Sequence, residues 1–455
     1  MTTYRILLPH PLEPRLLLLQ THGEWRVPQW QDGVDRDWED VAHINRAVSA
    51  RFGAETTVLR CLRHDVDPVS GGVVRIYELE NHSPLPDLPP DLNWVGQQEL
   101  ERLSVRDPLL REVLNGWFAR RAGLLPDHGA PWSRPGWYIE ALSWGIGCLR
   151  DAGISTSESP EQLRASERGS LLRLRTPRGS FYLKAAADVF RHEPALARWL
   201  ATRFPEHAPE VLGIDEARSW LLRRELTGGV LPLVEVREES VWEDAVRRLA
   251  ELQVESAAHR DELAALGCPD RSLPVLAARV PRLLADAPAM LLGEPCGLTR
   301  SEIERAAHLG PALLALCDEL AALPIPVALE PGDLRGDNVI MTRRGPVFTE
   351  WSASSLSHPF FGVCHLLRDA ARMLPESSAD SRRRLRDAYL EPWRERAPLA
   401  ALHRAFDLAM TLAPLHHAAT AHAELIPATG HRWEFACLVP RQLRVILEAL
   451  TEVRA

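Results

Sequence analysis

Residues 330–342 read Glu-Pro-Gly-Asp-Leu-Arg-Gly-Asp-Asn-Val-Ile-Met-Thr, and residues 345–351 read Gly-Pro-Val-Phe-Thr-Glu-Trp. Asp333 and Asn338 stand five residues apart and precede a strand, a glycine turn, a second strand and the carboxylate of Glu350. Such a hairpin brings the three side chains to one edge. Phosphoryl transfer needs a carboxylate that orients the attacking hydroxyl, and an amide and a second carboxylate that hold Mg²⁺. A surface loop rich in Gly and Asp, as turns are, is the alternative explanation of this motif alone.

The length and composition are those of a globular protein with more than one domain. The 455 residues suggest two or three domains, and 45% hydrophobic with 25% charged residues is an ordinary globular composition. A net charge of −9 argues against nucleic acid as the main partner. No apolar run is long enough for a membrane helix, and residues 6–8 are too few for the core of an export signal. The seven scattered cysteines predict reduced thiols, a cytoplasmic location and no zinc ribbon or disulfide scaffold.

Lysine is nearly absent from the chain. Of the 53 Lys and Arg residues, 52 are arginine and one is lysine, Lys184. A compositional bias that replaces Lys by Arg, wherever either residue would function, explains the excess of arginine. The one lysine is then a candidate for a position that requires a compact ammonium group, although chance survival also explains it.

The pattern of strands and helices divides the chain near its middle. Short strand-like runs alternate with helical segments up to about residue 120, and residues 122–136 shift to Gly, Pro and short polar residues. From residue 137 the pattern restarts with a helix and strand-like segments. Beyond Val230 it is mostly helical, except at residues 327–350. Strands followed by helices predict an α+β, two-lobed body.

The second part of the chain resembles the aminoglycoside phosphotransferase and choline kinase family, a branch of the protein-kinase-like fold. The family's catalytic loop, H-G-D-x-H-x-x-N, corresponds to residues 331–338, and its metal-binding I-D-W corresponds to residues 349–351. Residues 181–185 fit the strand that presents the ATP-binding lysine, and residues 220–229 fit the strand and hinge between the lobes. Residues 248–253 fit the family's L-A-x-L-H helix, with Gln in place of His. The resemblance covers roughly residues 140–455.

This resemblance implies a role for each matched residue. Asp333 orients the acceptor hydroxyl and draws its proton, and Asn338 and Glu350 hold Mg²⁺. Lys184 binds the α- and β-phosphates of ATP, and Glu193 steadies Lys184. The other implied ATP-binding residues lie in the phosphate-covering loop and the hinge: Ser166, Gly169, Ser170, Arg224, Glu225 and Leu226. The chain is therefore expected to be an ATP- and Mg²⁺-dependent phosphotransferase that acts on a hydroxyl of a small molecule.

Several positions depart from the family pattern. Pro331 and Arg335 replace two histidines, Glu350 replaces an aspartate, and Gly362 replaces the later aspartate of D-P-x-x-D-L. Glu is one methylene longer than Asp, so it still ligates Mg²⁺ with an altered reach. The departures leave a second interpretation open, in which the chain is a catalytically inert, nucleotide-binding pseudokinase or binding module.

The first 120 or so residues resemble the Nudix fold. Residues 46–54, Arg-Ala-Val-Ser-Ala-Arg-Phe-Gly-Ala, align with the R-E-U-x-E-E-x-G-U part of the Nudix box. The three glutamates of the box hold the metal ions that hydrolyse a diphosphate, and they fall on Ala47, Ala50 and Arg51 here. The resemblance therefore implies a domain without hydrolase activity that binds the acceptor or a partner protein.

Together these patterns predict an α+β protein with a two-lobed, protein-kinase-like fold preceded by a small α/β Nudix-like domain. The Nudix-like domain spans 1–121, a linker 122–136, the N-lobe 137–227, and the C-lobe with its helical acceptor-binding region 228–455. The acceptor class (antibiotic, sugar or choline-like amine) is left open. One predicted helix carries three histidines that lack the i, i+4 spacing of a zinc helix, so a structural or acceptor-pocket role is expected: His416, His417 and His422.

Overall fold

The computed structural model describes residues 1–452 except 22, 68–69, 84–90, 126–128, 234–238, 375–378 and 430–433. The chain divides into two compact units, Met1–Ala187 and Asp188–Ala455. Both units contain helices and strands, so the predicted α+β class is confirmed. No helix in the described part of the chain is long and apolar enough to cross a membrane.

The described residues of the first unit form ten strands and four α-helices. Its strands are β1 (Thr2–Leu7), β2 (Leu16–Thr21), β3 (Glu24–Arg26), β4 (Gln29–Asp32), β5 (Thr56–Val66), β6 (Val73–Asn81), β7 (Leu92–Val95), β8 (Glu161–Ala165), β9 (Gly169–Thr176) and β10 (Gly179–Ala186). Its helices among the described residues are α1 (Ala42–Phe52), α2 (Gln97–Leu100), α3 (Pro108–Arg121) and α4 (Trp137–Asp151). One sheet has the order β4-β1-β6-β5, with β1 and β6 parallel, and a second has the order β3-β2-β7.

The strands β8, β9 and β10 belong to the first unit because they are bonded to its other elements. The Gln162 side chain on β8 accepts a hydrogen bond from the Val58 N–H (2.7 Å) and donates one to the Val58 carbonyl (2.8 Å). Trp132 belongs to the predicted linker and is buried, and its indole N–H donates to the Ser166 carbonyl at 2.7 Å. The division at 187/188 therefore does not coincide with the predicted boundaries, and residues 126–128 of the linker lie outside the described part of the chain.

The second unit is mostly helical. Its strands are β11 (Val211–Asp215), β12 (Trp220–Arg224), β13 (Gly229–Val230), β14 (Ala328–Glu330), β15 (Val339–Thr342), β16 (Gly345–Phe348) and β17 (Ser355–Ser357). Its helices are α5 (Glu193–Arg203), α6 (Glu239–Ser256), α7 (Arg260–Ala265), α8 (Leu273–Ala285), α9 (Arg300–Ala321), α10 (Cys364–Met373), α11 (Ala379–Leu390), α12 (Leu399–Thr420), α13 (Ile426–Ala428) and α14 (Leu438–Glu452). A π-helical turn, Ala421–Leu425, directly follows α12.

Capping and burial account for the long helices of this unit. Thr299 begins α9 with a reciprocal capping box, in which Thr299 Oγ1 accepts from the Glu302 N–H and the Glu302 carboxylate accepts from the Thr299 N–H. Helix α12 is buried on most of its surface and contacts α8, α9 and α14. A helix that is apolar nearly all round belongs in a core, and α12 is the central helix of this one.

The prediction of reduced thiols is wrong for two of the seven cysteines. Cys296 and Cys437 form a disulfide with a Cα–Cα distance of 5.7 Å, well within the range that a disulfide spans. The other five cysteines form no disulfide. The two partners are 141 residues apart, and the packing of α14 against α9 and against the segment before Cys296 brings them together.

Candidate functional site

The loop between β14 and β15 holds Asp333 and Asn338 together. The Asn338 side-chain Nδ2 donates to the Asp333 backbone carbonyl at 3.1 Å, and the Asn338 N–H donates to the Arg335 carbonyl at 3.0 Å. Asp369 on α10 accepts from the Gly336 N–H at 3.0 Å, which ties the middle of the loop to the helical core. The loop is therefore a closed turn. The hydrogen bond from Asn338 Nδ2 fixes the orientation of the side-chain amide, and with it the position of Asn338 Oδ1.

The hairpin of β15 and β16 brings Glu350 next to Asn338, as the sequence predicts. Val339 pairs with Phe348, and both the N–H and the hydroxyl of Thr349 donate to the Asn338 carbonyl, at 2.9 and 3.1 Å. Glu350 follows with φ of 63°, a left-handed conformation that costs an L-residue about 1–2 kcal/mol. Non-glycine residues in this conformation concentrate at functional sites. Arg223 Nη2 lies 3.9 Å from Glu350 Oε1.

Glu330 is a buried carboxylate beneath this loop. It accepts from the Gly332 N–H at 2.7 Å and from the Ser355 hydroxyl at 3.1 Å, and His416 Nε2 lies 3.6 Å away. Gly332 has φ of 77°, and a Cβ there would lie 2.2 Å from the Ala353 carbonyl oxygen. Only glycine fits this position, so the Gly of the motif is explained by the close approach of two backbone segments.

Asp333 is flanked by a cation and an imidazole. Arg335 Nε donates to Asp333 Oδ1 at 3.0 Å, and the Asp333 carboxylate raises the pKa of Arg335. On the other side, His365 Nε2 lies 3.9 Å from the same oxygen. Burial lowers the pKa of His365 although the Asp333 charge opposes the shift, so the imidazole is neutral at pH 7.

A stack of two histidines continues from Asp333 into the helical core. The rings of His365 on α10 and His417 on α12 lie face to face, with centroids 4.4 Å apart and an interplanar angle of 22°. Burial lowers the pKa of His417 well below its usual range, and the neighbouring His365 acts in the same direction. Of the three histidines singled out in the sequence, His416 and His417 lie near Asp333 through these contacts, while His422 bonds Asp286 at 2.8 Å.

Gln253, which stands where the family has a histidine, is a structural residue. Its side-chain Nε2 donates to the carbonyls of Leu329 (3.3 Å) and Pro359 (2.9 Å), and its Oε1 accepts from the Tyr389 hydroxyl at 2.6 Å. These bonds join α6, β14 and α11 in the interior. An amide supplies the donor and the acceptor that this junction needs at once.

The predicted hinge runs beside the hairpin. Gly229 and Val230 pair with Met341 and Ile340 of β15, and a Cβ at Gly228 would lie 2.2 Å from the Met341 carbonyl oxygen. Upstream, Arg224 bonds Glu210 through its side chain at 2.6 Å and through its backbone N–H at 2.9 Å. Glu225 and Leu226, the other two hinge residues, are partly buried in the turn that leads to Gly228.

The remaining predicted ATP-binding residues lie on other elements. Lys184 is buried on β10, in register with Leu171 of β9. The phosphate-covering loop is a short turn between β8 and β9, in which the Ser166 hydroxyl accepts from the Arg168 N–H (3.2 Å) and the Ser170 hydroxyl donates to the Arg164 carbonyl (3.2 Å). A Cβ at Gly169 would lie 2.6 Å from the Ala185 carbonyl oxygen. Glu193, in the second unit, is buried at the first turn of α5.

Sequence patterns did not reveal several residues that build the site. Glu330 lies just before the catalytic-loop motif, and His365 and Arg271 lie outside any recognised motif. The role of all three depends on tertiary packing. Arg271 donates to the Ala353 carbonyl at 2.7 Å and pairs with Glu424 of the π-helical turn, also at 2.7 Å. Within the described ranges, no three His, Cys, Asp or Glu side chains cluster as a metal site.

Comparisons with known proteins give structural similarity at low sequence identity. No protein-family model and no curated protein matched the chain. An ethanolamine kinase from Plasmodium vivax is 10% identical with a TM-score of 0.49, covering 65% of this chain and 84% of its own. A choline/ethanolamine kinase family protein from Mesorhizobium loti is 18% identical with a TM-score of 0.46, covering 68% of this chain and 95% of its own. A macrolide 2'-phosphotransferase type I is 13% identical with a TM-score of 0.46, covering 66% of this chain and 96% of its own. The chain is thus similar to solved structures of small-molecule kinases and phosphotransferases.

Proposed function

We propose that the chain is an ATP- and Mg²⁺-dependent phosphotransferase that phosphorylates a hydroxyl of a small molecule. The observation that carries the proposal is the convergence of Asp333, Asn338 and Glu350 on one hairpin edge, through the bonds from Asn338 Nδ2 to the Asp333 carbonyl and from Thr349 to the Asn338 carbonyl. Asp333 orients the acceptor hydroxyl and receives its proton as the oxygen attacks the γ-phosphate. Arg335 and His365 fix the position of the Asp333 carboxylate.

The oxygen donors of the site fit Mg²⁺. Mg²⁺ is bound in such sites by one or two protein oxygens, with phosphates and water as its other ligands, and Asn338 and Glu350 supply an amide and a carboxylate oxygen. When bound, Mg²⁺ would neutralise the negative charge of the phosphates. The left-handed backbone at Glu350 supports a functional role, since glycine would adopt this conformation without strain.

The nucleotide is assigned to Lys184, Glu193, the 166–170 turn and the 224–226 hinge. A compact ammonium suits the position between two phosphates better than a branched guanidinium, which accounts for a single lysine in a chain of arginines. ATP as donor supports a location inside the cell. The cytoplasmic location stays a prediction, and the Cys296–Cys437 bond removes two of the thiols on which it rested.

A binding role is proposed for the N-terminal Nudix-like segment, whose assignment stays a prediction. A surface cleft of about 470 Å³ in the first unit is lined by Arg15, Glu99, Phe118 and Arg121 among others. Arg15 pairs with Glu99 at 3.1 Å, and Arg121 lies over the Trp117 ring at 5.4 Å. This mixture of charge and apolar surface suits an acceptor or a partner protein. The chain is expected to release no nucleoside monophosphate from nucleoside diphosphate derivatives.

The test measures ATP turnover with a panel of hydroxyl-bearing compounds, and ATP affinity with and without Mg²⁺. Asp333→Asn should abolish turnover and leave ATP affinity nearly intact. Glu350→Gln should abolish turnover because an amide is neutral, and Glu350→Asp should retain part of it. Asp337→Asn, an exposed carboxylate in the same loop, is the matched control and should turn over normally. ATP binding without turnover in the wild type would support the inert, nucleotide-binding alternative instead.

A further inference from the structure

Three polar atoms near the end of α12 are buried without a hydrogen-bond partner among the described residues: His417 Nδ1, His417 Nε2 and Thr420 Oγ1. A buried polar atom that makes no hydrogen bond is destabilising. A Thr hydroxyl in a helix can bond the carbonyl four residues earlier, as Thr411 does to Asp407 at 2.9 Å on the same helix. Thr420 makes no such bond at the junction where α12 becomes a π-helical turn. None of the described residues supplies a partner for these atoms, which leaves them available to a bound molecule.

These atoms lie next to the proposed catalytic carboxylate. His417 stacks on His365 at 4.4 Å, and His365 Nε2 is 3.9 Å from Asp333 Oδ1. Thr420 is three residues beyond His417, so the two side chains share one face of the helix. A molecule that presents a hydroxyl to Asp333 is thus well placed to present a second polar group to His417.

The charges around this position do not favour an ammonium group. The positive charges of Arg368 and Arg271 help to lower the pKa of His417, after burial and the two neighbouring histidines. Three carboxylates of this region are already engaged: Asp333 by Arg335, Glu424 by Arg271 and Arg279, and Glu330 by the Gly332 N–H and the Ser355 hydroxyl. A cation entering here would meet like charge and find no unengaged anion among these groups.

The hydrogen-bonding capacity of the orphan atoms matches hydroxyl groups. A neutral imidazole has one donor and one acceptor nitrogen, and a threonine hydroxyl also both donates and accepts. An ammonium needs acceptors only, and a carboxylate or phosphate needs donors only. An uncharged hydroxyl group uses both capacities of His417 and Thr420, which neither an ammonium nor a carboxylate does.

We propose that His417 and Thr420 form an acceptor subsite for an uncharged polyhydroxy compound, a sugar or polyol, and that amines are poor acceptors. The proposal rests on the phosphotransferase function proposed above. It names the acceptor class, and it assigns the two residues to substrate affinity and specificity.

The experiment measures binding by calorimetry, in the presence of Mg²⁺ and a non-hydrolysable ATP analogue. The ligands are matched pairs that differ by a hydroxyl or an ammonium: D-glucose with D-glucosamine, and ethylene glycol with ethanolamine, extended by maltose, myo-inositol and choline. At least one uncharged compound should bind tenfold or more tightly than its amino partner. Thr420→Val and His417→Phe should each weaken that binding at least tenfold and leave the affinity for the ATP analogue unchanged.

The controls separate the subsite from a general effect on the fold. Thr411→Val removes a hydroxyl that α12 already satisfies, so it should leave the ligand affinity unchanged. His417→Gln keeps a donor and an acceptor and should restore part of the affinity lost in His417→Phe. Tighter binding of the amines, binding of no compound, or unchanged affinity in Thr420→Val and His417→Phe would overturn the proposal, the last because water would then be the partner. A polyol that binds through these residues and is never phosphorylated would instead refute the phosphotransferase function alone.

Discussion

Pro331 and Gly362 share a space with no room for a second side chain: a Cβ on Gly362 would lie 2.5 Å from Pro331 Cδ and 3.0 Å from Glu330 Oε1. These are two of the positions at which the chain departs from the family motif. The departures are therefore coupled by contact. The proline ring of Pro331 fills the space that Gly362, which has no side chain, leaves beside the catalytic loop.

We predict that Gly362→Ala lowers the free energy of unfolding by about 1–3 kcal/mol, since an added methyl overpacks a closed space. The backbone φ of −70° suits alanine, so the loss comes from contact alone. Adding Pro331→Ala to Gly362→Ala should recover part of this loss of stability. Chemical denaturation of the two single variants and the double variant measures the coupling. Gly310→Ala on α9, where the nearest atom is 3.4 Å away, is the control and should cause no loss. Additive effects of the two substitutions would contradict the coupling.

Glu350→Gly should raise the free energy of unfolding by about 1 kcal/mol while it abolishes turnover. The reason is the φ of 63°, which glycine adopts without the penalty that glutamate pays. Ser219→Gly is a matched control, because Ser219 has φ of 56° in the turn between β11 and β12, and it should gain stability with turnover unchanged. A less stable Glu350→Gly protein would show that contacts of the glutamate side chain outweigh the backbone strain.

Lys184→Arg should weaken ATP binding by an order of magnitude or more, although it keeps the charge. The side chain is buried on β10, so a larger planar group has little room there. Arg175→Lys, on the partly exposed side of neighbouring β9, is the reverse exchange and should leave ATP affinity unchanged. Calorimetric titration with Mg·ATP measures both. Equal affinity in wild type and Lys184→Arg would mean that the lone lysine is an accident of composition.

The stability of the second unit should fall as the pH drops below about 6.5. Burial lowers the pKa of His358 to about 3, so the folded protein keeps this ring neutral while the unfolded chain protonates it. The unfolded state then binds more protons, and the loss approaches about 1.4 kcal/mol per pH unit between about pH 6 and pH 3. Urea denaturation at pH 7 and pH 5 measures it.

His358→Asn should flatten this pH dependence without removing the local cap. The Nδ1 of His358 accepts from the Phe360 N–H at 3.3 Å, and an asparagine oxygen serves the same purpose without titrating. His365 and His417 also have lowered pKa values, so part of the acid sensitivity should persist. An unchanged slope in His358→Asn would exclude the ring as a source of the effect.

Alkylation of the denatured protein without reductant should modify five cysteines. Alkylation after reduction should modify all seven. The unmodified pair should be recovered as one peptide that links Cys296 to Cys437. Mass spectrometry of the two digests measures this. Seven modified cysteines without reductant would restore the original prediction of reduced thiols.

The sequence was most informative where the chemistry is local. Asp333, Asn338 and Glu350 lie within 18 consecutive residues, and one loop and one hairpin suffice to bring them together. Helix α3 was missed although Asp107 and Pro108 carry its start signal, with the Asp107 carboxylate accepting from the N–H groups of Leu109 and Leu110. The buried apolar residues that follow, Leu110, Leu114, Trp117 and Phe118, also recur at helical spacing, so this helix was predictable from the sequence.

Other parts of the site could not be read from the sequence. His365 and His417 are 52 residues apart and meet only because α10 and α12 pack in one core. The Ser166–Ser170 segment is expected to cover phosphates, and its shape as a tight turn follows from the pairing of Ala165 with Ser170. Such features depend on tertiary contacts that periodicity does not encode.

The disulfide encloses the chemistry of the second unit in a covalent ring. Asp333, Asn338, Glu350, His365 and His417 all lie between Cys296 and Cys437, whereas Lys184 lies outside it. A protease that cuts once anywhere between residues 297 and 436 therefore leaves one molecule, whose two fragments separate on a gel only after reduction. The region between the two cysteines can thus be nicked and still retain every proposed acceptor-side residue, while a cut between residues 185 and 295 leaves Lys184 on a fragment that the disulfide does not hold.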